Sequence, residues 1–213
     1  MTMDGPLALS APEVRVLGAL MEKARTTPEL YPLTLNALVL ACNQKTSRDP
    51  VTDYEEQEVL DTLDRLREKG LAMRVDLAGS RAPRFRENAS TAWQLERPEY
   101  ALLATLFLRG PQTPGQLRQR CERLQAFAEL GQVTDWLQRM QQREEKPHTL
   151  VRPLDRLSGT KELRYAEVLG PLPEPAPEAE AAPRPAGDSL RERLQQLEER
   201  VSQLERQLED LLG

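Results

Sequence analysis

Val14, Leu17, Leu20 and Met21 form an apolar stripe at helical spacing, and Glu13 stands three residues after Ser10 in the spacing of a capping box. Pro12 suits a first turn, so a helix is predicted from Ser10 to about Arg25, broken at Thr26-Thr27-Pro28. A second helix is predicted from Thr34 to about Gln44, with Leu35, Leu38 and Cys42 on one side. The polar connection Asn43 to Pro50 follows. A third helix is predicted from Asp53, where Glu56 completes another capping box, and it carries Val59, Leu60, Leu63 and Leu66 inward to a stop at Gly70. The period then changes to two. Met73, Val75 and Leu77 alternate with Arg74 and Asp76, Gly79-Ser80 turns the chain, and Phe85 lies between Arg84 and Arg86. Three helices and a two-stranded hairpin is the order of a winged helix.

The order then repeats. Thr34, Leu38 and Cys42 recur as Thr113, Leu117 and Cys121 at an offset of 79, and Gly79, Arg84 and Phe85 recur as Gly159, Arg164 and Tyr165 at an offset of 80. That period is too long for a solenoid unit and marks a duplicated small domain. In the second copy Tyr100, Leu103, Leu106 and Phe107 mark the first helix, ending at Gly110-Pro111, and Thr113-Pro114 starts the second. Val133, Trp136, Leu137 and Met140 mark the third, and strands near Leu150-Val151 and Leu163-Tyr165 flank a turn at Ser158-Gly159. The fold class expected is mainly α with small β-hairpin wings. The boundaries are a loose N-terminus at 1–8, winged-helix domains at 9–96 and 97–170, a spacer at 171–187 and a pairing helix at 188–213.

The spacer is set by composition, since six of its 17 residues are proline, interleaved with Ala and Glu. It spans at most about 50 to 60 Å. Behind it Leu190, Leu194, Leu197, Val201, Leu204, Leu208 and Leu211 are spaced 4, 3, 4, 3, 4, 3, an unbroken heptad seam. With Leu190 at d, a parallel pair sets Arg193 against Glu198 and Arg200 against Glu205, whereas an antiparallel pair would set like charges together. The expected partner is therefore a second copy in a parallel homodimeric coiled coil. Val201 at an a position and the lack of a buried Asn leave a trimer open, and the alternative to pairing is docking of this helix on its own domains.

Charge redistributes along the chain. The net charge is −5, made of −2 over residues 9–96, +3 over 97–170, −5 over the tail and the single Asp4. Local basic patches rather than the total set phosphate affinity, so the second copy is the better phosphate-facing half. Aromatic residues are only 4 %, leaving Leu, Val, Ala and Met to fill the cores. Cys42 and Cys121 occupy equivalent helical positions and read as core residues, not as a disulfide. No apolar run approaches the roughly 18 residues of a membrane span, and residues 1–9 lack the regions of a signal peptide, so a cytoplasmic location is expected.

Candidate phosphate contacts are read from polar and basic clusters. Asn43, Gln44, Lys45, Ser47 and Arg48 lie in the connection after the second helix, and Arg81, Arg84 and Arg86 belong to the first wing. The second copy offers Arg118, Arg120 and Arg123, the third-helix residues Arg139 and Arg143, and Lys161 and Arg164 of its wing. Gln132, Gln138, Gln141 and Gln142 add side chains able to reach base edges. The first third helix is unsuited to a phosphate groove, because Glu55, Glu56, Glu58, Asp61 and Asp64 stand there. The same polar connection has a structural reading, in which Asn and Arg side chains tie down a long loop.

Tyr31-Pro32-Leu33-Thr34-Leu35-Asn36-Ala37-Leu38, Ala41-Cys42-Asn43-Gln44-Lys45 and Arg48-Asp49-Pro50-Val51 closely resemble the signature of the YceH family of bacterial proteins. Ser10-Ala11-Pro12-Glu13, Gly79-Ser80-Arg81 and Arg109-Gly110-Pro111-Gln112-Thr113-Pro114-Gly115 match its other hallmarks. The resemblance spans about residues 9–170 and implies a tandem winged-helix fold, with no catalytic residues to carry over.

Binding double-stranded DNA as a regulatory dimer is the leading expectation, and a protein-interaction adaptor is the alternative. Catalysis is not expected: the one histidine, His148, sits before a strand, the two cysteines are separated, and no nucleophile elbow, phosphate loop or dinucleotide fingerprint is present. No cofactor or metal is expected.

Overall fold

Ser10 closes the capping box, with Glu13 N–H donating to Ser10 Oγ and Ser10 N–H donating to Glu13 Oε2 at 2.7 Å, and this starts α1 (Ala11–Thr26). Thr34 caps α2 (Leu35–Cys42) through a bond from Ala37 N–H, and α3 follows at Glu56–Glu68. Then come β2 (Ala72–Val75) and β3 (Arg84–Glu87), with β1 (Leu33–Thr34) preceding α2. After the short α4 (Ala89–Ala92) the second series runs α5 (Arg97–Arg109), α6 (Pro114–Arg120), α7 (Leu130–Gln141), β4 (Val151–Leu154) and β5 (Arg164–Glu167). In this computed structural model residues 8–76, 82–155 and 162–171 are described. The wing turns, Arg81, Arg156, Lys161, the spacer beyond Pro171 and the heptad positions Leu190 to Leu211 lie outside them.

The protein is mainly α with small antiparallel sheets. In the first series β3 is central, pairing with β2 on one side and β1 on the other, with Leu33 opposite Phe85. That corrects the two-stranded expectation: Leu33 and Phe85 are both buried, so the dipeptide before α2 completes the sheet over the core. The second sheet keeps two strands, extended by a bridge from Gln112 to Tyr165.

Two further expectations are corrected. The Asp53 capping box does not form, because the Asn43 side chain accepts from Tyr54 N–H at 2.8 Å and donates to Tyr54 O at 2.9 Å, holding that segment off the helix until Glu56. The phase of β2 is also shifted. Ala72 is buried, whereas Met73 faces out and its Sδ accepts from Arg86 Nη2.

Both series share one core. Leu17, Leu20 and Met21 of α1 lie with Leu63 and Leu66 of α3 and with Leu102, Leu103 and Leu106 of α5, all fully buried. The helices α1 and α5 meet at Gly18, where an added Cβ would stand 2.8 Å from Phe107 Cβ, so only hydrogen fits there. The Tyr100 hydroxyl crosses the same seam to donate to Met21 O at 2.8 Å, and Arg25 covers its ring at 5.0 Å.

Candidate nucleic-acid interface

The α2–α3 connection folds back on the helices around it. Arg48 donates Nε and Nη2 to Ala41 O, Nη1 to Ser47 O, and both terminal nitrogens to the Glu22 carboxylate at 2.6 and 3.2 Å. Its side chain is 0 % exposed, so Arg48 is withdrawn from the set of surface phosphate contacts and becomes the pin of the loop. Gln44 Oε1 accepts from Arg48 Nη2 at 2.7 Å, and Asn43 bonds the Tyr54 backbone through both ends of its amide, so both side chains are engaged in holding the loop. Ser47 sits in the left-handed region with φ 62° and its Oγ accepts from Arg109 Nη2 at 2.6 Å. Asp49 N–H donates to Leu108 O, and the buried Arg15 donates to Pro50 O. Lys45 alone among these candidates stands exposed.

The first sheet places Arg84 and Arg86 half-buried. Arg84 Nη1 donates to Pro32 O at 2.8 Å, and Arg86 lies against Met73. Arg164 holds the equivalent place on β5 and is likewise half-buried.

In the second series Arg118, Arg120 and Arg123 are exposed. Arg118 reaches Phe127 O and Ala128 O, fixing the connection into α7, while Arg120 Nη1 donates to Gln112 Oε1. On α7 the Arg139 guanidinium lies 4.8 Å from the Trp136 ring centroid, and this pair edges a cleft of about 300 Å³ shared with Pro98, Gln125, Phe127 and Gln132. Arg143 is the second withdrawal. Its side chain is 3 % exposed, bonded to Glu99 Oε1 at 2.9 Å and to Trp93 O at 2.7 Å, so it fastens the end of α7 to α5.

The faces of the two third helices differ in charge, that of α3 being acidic and that of α7 balanced. On α3 the exposed positions are Glu56, Gln57, Glu58, Asp61, Asp64, Arg65, Arg67 and Glu68. On α7 they are Leu130, Gly131, Gln132, Thr134, Asp135, Gln138 and Arg139, with Asp135 the one carboxylate.

Other chemistry is muted. Both cysteines are buried free thiols, pushed up by burial to about 12 for Cys42 and about 11 for Cys121. His148 is exposed, with Nδ1 beside Arg143 O at 3.2 Å. Among the described residues no group of three or more His, Cys, Asp or Glu side chains is placed to hold a metal ion, and no helix is long and apolar enough to cross a membrane.

Sequence reasoning missed Arg109, whose partner Ser47 is 62 residues away, and Arg15, which is buried on α1 and donates to Cys42 O and Pro50 O. Beyond arginine identity, the one signal was that Arg109 opens the Arg109–Gly115 hallmark.

Residues 9–160 match the family described as "Protein of unknown function, DUF480". The chain is 47 % identical over 196 residues to a UPF0502 protein of Geobacter metallireducens, covering 90 % of this chain and 87 % of the relative. It is 45 % identical over 201 residues to a UPF0502 protein of Solibacter usitatus, covering 94 % and 95 %. A UPF0502 protein of Paracidovorax citrulli is 49 % identical over 176 residues, covering 82 % and 75 %. Extent and identity together make this chain a member of the DUF480 family.

Proposed function

We propose that this chain is a non-catalytic tandem winged-helix protein that binds double-stranded DNA, and that its second copy makes the contact. Helix–helix–helix–hairpin order occurs twice, and in such units the third helix is the one that enters the major groove. The observation that carries the reading is the contrast between the third helices. The carboxylates of α3 would repel a phosphate groove, whereas α7 offers Gln132, Gln138 and Arg139 with Arg123 nearby in the chain. The heptads at 188–213 are proposed to join two chains in parallel, so that two weak contacts add through effective concentration. Binding without catalysis is supported by the thiols, which their raised values hold protonated and unreactive at neutral pH.

Fluorescence anisotropy of the full chain with random-sequence duplexes, at low and moderate salt, tests the reading. Salt-sensitive binding is expected, and removing residues 188–213 should halve the solution mass and weaken that binding. A flat titration at both salts would overturn it.

A protein adaptor is the second reading, favoured by the exposed carboxylates of α3, which would suit a basic partner.

A further inference from the structure

We propose that Arg109 and Arg120, which end α5 and α6, form with Ser47 of the first copy a binding site for a phosphate group. This deepens the DNA-binding reading and depends on it only for the source of the phosphate.

Among the described residues neither guanidinium is bonded to a carboxylate. Arg109 Nη2 donates to the Ser47 hydroxyl, and Arg120 Nη1 donates to the amide oxygen of Gln112. Gln112 is 3 % exposed, and its Nε2 donates to Arg109 O at 2.9 Å and Pro111 O at 3.0 Å. A buried amide thus joins the end of α5 to the Arg120 guanidinium. Glu22, the carboxylate whose charge reaches Arg109, is already taken by Arg48 and by Lys23 at 3.5 Å.

The cluster therefore carries uncompensated positive charge. Burial lowers the Arg109 value and the charge of Arg120 lowers it further, while Glu22 opposes and Arg48 adds to the lowering. The C-terminal ends of α5 and α6 contribute partial negative charge, about half a unit each, which does not cancel two full cations. A bound phosphate would supply the missing counter-charge and match the fork of each guanidinium. Capping of the two helix ends is the plainer role for these arginines, and it predicts no anion binding at all.

Arg109 is half-buried and Arg120 exposed, so both edges are within reach of solvent, with Lys45 and Thr46 exposed beside Ser47 in the chain. The site uses one loop from the first copy and two helix ends from the second, so it exists only when both are folded together.

The test is calorimetric titration of the full chain with inorganic pyrophosphate and, separately, with a random duplex. Wild type should bind both, and Arg109→Gln with Arg120→Gln should weaken affinity for each probe about tenfold per guanidinium removed. The exposed Arg97→Gln serves as control and should change neither. If the double variant does not fold, Arg120→Gln alone carries the measurement. Pyrophosphate binding without duplex binding would keep the site and overturn the DNA reading. Duplex binding unchanged by the variants, with no pyrophosphate bound, would overturn the site and keep the DNA reading.

Discussion

Arg48 Nη2 stands 2.6 Å from Glu22 Oε2 with the arginine side chain wholly shielded, joining the α2–α3 loop to α1. Burying an ion pair is costly, but once it is formed the removal of one partner strands the other. Arg48→Ala should therefore lower unfolding free energy by about 3 kcal/mol. Urea denaturation checks this, and any duplex affinity should fall only in step with the folded fraction.

The same pair sets an acid limit. Burial alone would raise the Glu22 and Glu13 carboxyls, but Arg48 and Lys69 respectively hold both below the ordinary range. A folded value below the unfolded one stabilises above the unfolded value of roughly 4.3, and that stability drains as pH falls through the folded values. Glu22→Gln should flatten the acid side of the profile of unfolding free energy against pH. A profile of unchanged slope below pH 5 would count against this assignment.

Glu167 runs the other way. Burial raises its carboxyl despite bonds from Leu169 and Gly170 N–H to Oε2. A raised folded value stabilises below about 4.3 and loses that contribution as pH climbs through it. Glu167→Gln keeps the acceptor without the charge, so its stability relative to wild type should rise from pH 4 toward neutrality and then level off. Paired thermal melts across that range are the measurement.

Gly18→Ala forces a methyl to within 2.8 Å of Phe107 Cβ and 3.1 Å of Leu108 Cγ, and the nearest of these, Phe107 Cβ, is fixed to the α5 backbone and cannot swing aside. A loss of about 1 to 3 kcal/mol is expected, seen as a lower denaturation midpoint at unchanged slope.

Neutralising basic side chains on and before α7 and acidic ones on α3 should have opposite effects on duplex affinity. Arg123→Gln with Arg139→Gln should weaken it and make log affinity less steep in log salt, by about 0.9 for each phosphate-facing cation removed. Glu58→Gln with Asp61→Gln should leave it unchanged or strengthen it, as measured by the same anisotropy titration.

What the sequence revealed followed from how local each cause was. The start of α1 was legible because Ser10 and Glu13 satisfy each other within one turn, and the cap at Thr34 for the same reason. Asp53 failed as a cap because Asn43, well upstream in the chain, claims the backbone of Tyr54. Arg143 read as a surface cation, and Arg48 as either a phosphate contact or a tie for its loop, because their carboxylate partners lie 44 and 26 residues away and no periodicity reports burial of a charge by a distant helix. Met73 took the wrong face because alternation fixes a period but not its phase. The interface thus shrank from a long roster to a few exposed side chains, while Arg109 entered only once the two copies were seen to share a core.

Leu9 N–H donates to Leu169 O at 2.6 Å, so the first and last parts of the folded body are neighbours. A rewired polypeptide, with residue 170 spliced back to residue 9 by a few glycines and new ends opened at the exposed Glu144–Glu145, needs no long bridge to close. Chain order and architecture are in that respect separable here, and such a permutant should regain the native far-ultraviolet spectrum.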